Sequence, residues 1–296
     1  MRWKGREKSD NVIDNRGKGR AVAAGGGLGI VGIIIAVVFT LMQGGGAGDA
    51  AKSALNAMQK QQRQAASAQG AKSAPLSEAD KETGEFIAVV LKDTEDVWNK
   101  LLPTIGKRYQ APQLEMFTGS VSTACGSASS AVGPFYCPGD SKVYLDTVFF
   151  EELRTRFKAP GDFACAYVIA HEVGHHIQNL LGLSMQVQSQ QAKLPKTEAN
   201  KLSVRLELQA DFLAGVWAHH LEKEKRVLER GDLEEALNAA SRIGDDTLQR
   251  EATGRVRPDS FTHGTSEQRI YWFTRGLKSG DLQELQLPFE IAYEKL

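Results

Sequence analysis

The sequence predicts an α+β protein, mostly helical with a small antiparallel sheet, preceded by a single transmembrane helix. Three observations carry this expectation. Residues 21–43 form an uncharged apolar run, several later stretches place apolar residues at helical spacing, and between them lies a region of short β-prone runs broken by Gly, Ser and Pro. A hydrophobic content of 42% is ordinary for a folded chain, so a packed core is expected. The 36 basic and 36 acidic residues cancel, which removes the global field that would suggest a nucleic-acid partner.

From the N-terminus, residues 1–20 carry seven Lys or Arg against three acids and read as a basic cytoplasmic tail. The 23 residues at 21–43 follow, long enough as a helix to cross a bilayer core of about 30 Å. A cleaved signal peptide usually has an apolar region of only about 7–15 residues, so the length favours an uncleaved anchor. The charge asymmetry then orients it: N-terminus in the cytoplasm and the rest in the periplasm or outside the cell. Residues 44–80 are rich in Gly, Ala, Gln and Ser with almost no large apolar side chain, and read as a flexible linker.

The folded domain is expected at 81–296. Phe86, Val90, Val97 and Leu101 recur at helical spacing before Pro103. Between Pro112 and Phe150 the runs "LEMFTG", "AVGPFYC" and "KVYLDTVFF" suggest strands of a small antiparallel sheet. Cys125 and Cys137 flank a short loop there and could close as a disulfide in an oxidising compartment, whereas Cys165 falls on an apolar helix and reads as a buried free thiol. That helix has Asp162 as its expected N-cap and Gly182 as its stop. After a polar connection a second long helix is predicted over 197–227, and smaller ones around 233–240 and 265–277.

The first of these helices contains "HEVGHH". His171 and His175 are four residues apart, so both imidazoles leave one face about a turn apart, as two ligands to one zinc ion require. Glu172 beside them is placed to act as a general base on a metal-activated water. A catalytic zinc needs a third protein ligand, and "RLELQAD" on the second helix offers Glu207. Asp211, four residues further on and surrounded by apolar neighbours, needs a partner for its charge and could accept a hydrogen bond from a ligand imidazole. The blander reading of this pair is a solvated acidic edge, or helix partners for Lys201 and Arg205.

"HEVGHH" followed by "ELQAD" resembles the gluzincin pattern of HExxH with a downstream Glu in ExxxD. More specifically, the chain resembles the bacterial neutral zinc metallopeptidase family of membrane-anchored proteins. The similarity runs through "MRWKGREKSDNVIDNRG", "GPFYCPGDSKVYLD", "AYVIAHEVGHHIQNLLG", "RLELQADFLAGVWA" and "PDSFTHGTSEQR". It implies a zincin-like metallopeptidase domain with the small sheet above the HExxH helix, Zn2+ as cofactor, and a peptide or protein substrate. It also implies that the substrate pairs with an edge strand, for which 131–137 is the candidate. His263 is the implied oxyanion donor, with Arg269 as an accompanying structural Arg. His176, His219 and His220 lie off the ligand faces and are expected at the surface or supporting the site.

Two readings therefore compete: a membrane-anchored zinc metallopeptidase, and a membrane-tethered zinc-binding scaffold or chaperone-like module without turnover. Glu172 favours the first, because a structural zinc site has no use for a base there and usually closes its fourth coordination position.

Overall fold

The computed structural model describes residues 1–17, 75–129 and 132–296. The anchor expected at 21–43 lies outside the described residues, as does nearly all of the linker. Among the described residues no helix is long and apolar enough to cross a membrane.

Residues 1–17 are not a separate tail; they are part of the folded domain. They contribute a short strand, β1 (Val12–Asp14), and bury Met1 and Trp3 in the main hydrophobic core. Their positive charge misleads when read alone, because acidic side chains elsewhere in the chain match it. Lys4 meets Glu82, Arg6 meets Asp93 and Lys8 meets Glu85. Those three acids lie on α1 (Glu78–Leu101), whose start is closed by a reciprocal capping box of Ser77 and Asp80.

The chain then builds β2 (Gln113–Phe117), the hairpin β3 (Ser120–Thr123) and β4 (Gly126–Ser129), β5 (Phe135–Cys137) and β6 (Lys142–Asp146). The expected antiparallel sheet is in fact mixed. Its strand order is β1-β2-β6-β5, parallel at the first two junctions and antiparallel only between β6 and the edge strand β5. The β3–β4 hairpin forms its own two-stranded sheet, through which the chain leaves β2 before it returns as β5. A disulfide joins Cys125 to Cys137, tying the hairpin turn to the edge strand.

"KVYLDTVFF" is not one strand. It stops at Asp146, whose carboxylate accepts the backbone N–H of Val148 at 3.0 Å, and α2 (Val148–Thr155) begins. The helix carrying the histidines is α3 (Asp162–Leu180), with Gly161 rather than Asp162 at the cap. The expected polar connection is largely helical, as α4 (Leu183–Gln191), and leads into α5 (Lys196–Lys225). The remainder is α6 (Asp232–Arg242), α7 (Asp245–Thr253), α8 (Ser266–Ser279) and α9 (Leu287–Glu290).

The core lies where α3, α5 and α8 stack, with Phe163, Tyr167, Phe212, Trp217, Trp272 and Phe273 all essentially inaccessible. The α5–α8 crossing is unusually close. A Cβ on Gly215 would sit 2.1 Å from the Phe273 carbonyl oxygen, and one on Gly276 2.0 Å from that of Phe212. Cys165 is a free thiol on α3, and burial raises its pKa.

Candidate metal centre

Where α3 crosses α5, the helices approach through Gly174, the glycine inside "HEVGHH". A Cβ there would lie 3.0 Å from the Ala210 carbonyl oxygen and 3.2 Å from its Cα, so a larger residue would push the helices apart. The close crossing brings Glu207 and Asp211 of α5 up to His171 and His175 of α3. Ligand atoms of His171, His175 and Glu207 all lie within 4.8 Å of one another.

Hydrogen bonds dictate which nitrogen of each ring is available. Asp211 is wholly buried, and its Oδ1 accepts from His171 Nδ1 at 2.8 Å and from the Tyr167 hydroxyl at 2.5 Å. A carboxylate can only accept, so His171 carries its proton on Nδ1 and turns Nε2 toward Glu207 Oε2, 3.2 Å away. His175 is fixed by two buried amides that the sequence reading missed. The Gln178 amide nitrogen donates to the Leu206 carbonyl at 2.7 Å and to Gln209 Oε1 at 3.0 Å. Gln209 in turn donates to the Leu285 carbonyl at 2.7 Å. With its nitrogen committed, Gln178 offers Oε1 to His175 Nδ1 at 2.9 Å, leaving His175 Nε2 facing Glu207 Oε1 at 3.5 Å. Two imidazole Nε2 atoms and one carboxylate therefore converge, a donor set suited to zinc once the Nε2 protons are displaced.

Arg269, expected as an accompanying structural Arg, has a partner the sequence reading did not give it, Asp211. It is buried, and its Nε and Nη2 donate to the two oxygens of Asp211 at 2.8 and 3.0 Å, while Nη2 also reaches the Tyr167 hydroxyl at 3.2 Å. Burial alone would raise the Asp211 pKa, but the charges of Arg269 and His171 outweigh it and hold the carboxyl at about 2. Burial likewise disfavours protonated His175, yet the neighbouring Glu207 charge lifts that ring to about 9. His171 is raised as well, chiefly by Asp211 against the opposing effect of burial. Glu207 is held well below the ordinary carboxylate range because the two rings and His263 overcome its burial.

The three donors and Glu172 line a cavity of about 630 Å³, whose wall also includes Phe135 and Tyr136 of β5. Thus 132–136, within the expected edge segment 131–137, border the site, and β5 stands at the sheet edge. Tyr136 locks that edge to α3: its hydroxyl meets His176 Nδ1 at 3.0 Å and accepts from Asn179 at 2.9 Å. His176, expected at the surface or supporting the site, is buried under the edge strand, with Nε2 on the Gln110 carbonyl at 2.6 Å. His219 and His220 contact carbonyl oxygens at the end of α8 and beyond it, at Leu277 and Gly280, away from the cavity.

His263 reaches the cavity wall with its ring half exposed. Asp245 clasps its loop, one carboxylate oxygen accepting the backbone N–H groups of Thr262, His263 and Gly264 at 2.7, 2.6 and 3.1 Å. The Glu207 charge is the largest influence on the ring and raises its pKa.

Residues 1–286 match the family model described as "Putative neutral zinc metallopeptidase". The Escherichia coli K12 protein "Uncharacterized protein YpfJ" is 46% identical over 286 residues, covering 95% of this chain and 96% of that protein. "Uncharacterized protein Rv2575" of Mycobacterium tuberculosis H37Rv is 45% identical over 195 residues, covering 62% of this chain and 64% of that protein. No solved structure matches. The chain belongs to this zinc metallopeptidase family.

Proposed function

We propose that the chain is a zinc-dependent metalloendopeptidase that hydrolyses peptide bonds in a peptide or protein substrate. The observation that carries the reading is the convergence of His171 Nε2, His175 Nε2 and a Glu207 oxygen in a cavity wall that also holds Glu172. These three residues would hold the zinc, which supplies Lewis acidity toward the scissile carbonyl and acidifies a water. Glu172 takes that water's proton on its carboxylate and delivers it to the leaving amine. His263, raised in pKa and facing the cavity, donates to the oxyanion that develops on the carbonyl. Asp211 and Gln178 act before any chemistry, holding the proton on each Nδ1 so that the Nε2 atoms are the ones turned to the metal. An extended peptide pairs with the open side of β5, which lays its backbone across the cavity.

The Cys125–Cys137 disulfide supports an oxidising compartment, the periplasm or the cell exterior, and the apolar run at 21–43 supports attachment to the bacterial cell membrane.

The test uses purified full-length chain and its Glu172→Gln variant, with zinc measured by elemental analysis and turnover by cleavage of unfolded casein. One zinc per chain in both, with cleavage lowered at least about 100-fold in the variant, is the expected result. Equal cleavage by both proteins would remove Glu172 from the mechanism. One zinc and no cleavage by either would favour the zinc-binding scaffold.

A further inference from the structure

Residues 1–17 are built into the same body as the candidate metal centre. Val12, Ile13 and Asp14 pair in register with Leu114, Glu115 and Met116. The ladder is continued by Leu114 N–H to the Asn11 carbonyl and Asn15 N–H to the Met116 carbonyl, both at 2.9 Å. Before the strand, Ser9 N–H donates to the Ala88 carbonyl at 2.9 Å, and Ser9 and Asn11 side chains both donate to Glu95, at 2.5 and 2.8 Å. After it, Arg16 is buried against α1, with Nη1 on the Asp80 carbonyl at 2.7 Å. At the far end Arg2 N–H donates to the Val227 carbonyl at 2.8 Å, and the Trp3 indole N–H donates to Asp162, the first residue of α3, at 3.1 Å. These contacts run from α1 and the sheet to the helix bearing His171 and His175.

We infer that residues 1–17 and 75–296 lie on one side of any membrane the chain meets. The charge pattern alone predicts the opposite, with the basic N-terminus held inside and the domain outside. An odd number of crossings between Gly17 and Pro75 would tear β1 from β2 and put the two halves of one sheet on opposite faces. The cations that read as a retention signal have a different task in this fold. Lys4, Arg6 and Lys8 are the counter-charges to Glu82, Asp93 and Glu85 of α1. Asp93 shows the demand most clearly: it is 1% exposed and is met by Arg6 together with Lys225. The binding partner of the basic segment is thus the acidic face of the chain's own first helix rather than an anionic lipid surface. This inference is independent of the proposed hydrolysis.

The experiment labels the full-length chain in bacterial spheroplasts and in inverted membrane vesicles with a membrane-impermeant maleimide. Lys4→Cys and Arg154→Cys place single probes at side chains that are 75% and 61% exposed, one in each part of the chain. Both probes are expected to label in the same preparation. Labelling of Lys4→Cys only from one face and of Arg154→Cys only from the other would overturn the inference. A second measurement asks whether the pairing occurs within one chain. Lys8→Cys with Glu85→Cys replaces an exposed ion pair, and a short bifunctional maleimide should join the two at monomer mass. Absence of that crosslink, or its appearance only between two chains, would also overturn it.

Discussion

Replacing Arg269 by Met removes the guanidinium held against Asp211 while keeping a long apolar stem. Asp211 is 0% exposed and Arg269 3%, so solvent does not screen the pair. Breaking a buried ion pair from one side costs about 3–5 kcal/mol, because it leaves an uncompensated charge. At about 2–4 °C per kcal/mol for a chain of this size, the melting temperature at pH 7 should fall by roughly 6–20 °C. The pH dependence follows from the sign of the shift. Asp211 is held at about 2, below its ordinary 3.8, so its contribution is complete above that ordinary value and lost as pH falls through about 2. The deficit of Arg269→Met should therefore be full at pH 7 and shrink between about pH 4 and pH 2. Calorimetry of metal-free full-length protein measures both quantities. The same measurement on Asp211→Asn and the double variant should show strong non-additivity, the double costing at least about 1 kcal/mol less than the sum. A melting point within about 2 °C of the parent, or simple additivity, would refute the claim that Arg269 neutralises this carboxylate.

Three further outcomes are expected. Because the Glu207 charge lifts His175 to about 9 against its burial, metal uptake at neutral pH must displace a proton; affinity should fall as pH drops below 9, about tenfold per unit for each proton displaced. Competition with a fluorescent chelator between pH 6 and 9 measures this, and a flat profile would contradict it. Gln178→Leu should lower metal affinity about 10–100-fold by freeing the His175 tautomer, and unchanged affinity would show that the amide relay is dispensable. Gly215→Ala should destabilise the fold by about 1–3 kcal/mol or more in urea denaturation, since its methyl group would meet the Phe273 carbonyl; a neutral result would mean that the α5–α8 crossing can relax.

What was legible in the sequence was whatever depends on local spacing. His171 and His175, and likewise Glu207 and Asp211, sit four apart on helices, and such spacing places both members of a pair on one face without knowledge of the fold. Asp211 was readable because a carboxylate amid Phe212, Leu213 and Ala214 needs a partner, but that Arg269, 58 positions later and expected only as a structural Arg, is that partner was not. Gln178 and Gln209 were invisible for a related reason: a glutamine reads as surface until its neighbours are known, and both are fully buried. The N-terminal segment was misjudged because a run of cations reads as solvated when the acids that meet it lie some 75 or more positions away. In "KVYLDTVFF" β propensity pointed to one long strand, yet the Asp146 carboxylate captures the Val148 N–H and turns the last part into a helix.

The contacts along α3 explain how the ligand geometry can exist before a metal arrives. At its start, Trp3 holds Asp162, and Glu235 of α6 accepts the Phe163 backbone N–H at 3.0 Å, so one unpaired donor is satisfied and negative charge sits where the helix dipole favours it. Along its middle, Gly174 sets the distance to α5, and Asp211 and Gln178 set the rotation of the two imidazoles. Near its end, Tyr136 fastens His176 and Asn179 to the edge strand. A helix held at three points along its length has little freedom to separate His171 from His175 or either from Glu207. The ordering of the donors is then met during folding rather than at the moment of metal binding. In this arrangement the N-terminal segment supports the metal centre from outside it: loss of Trp3 would loosen the start of the very helix whose next turns carry the ligands.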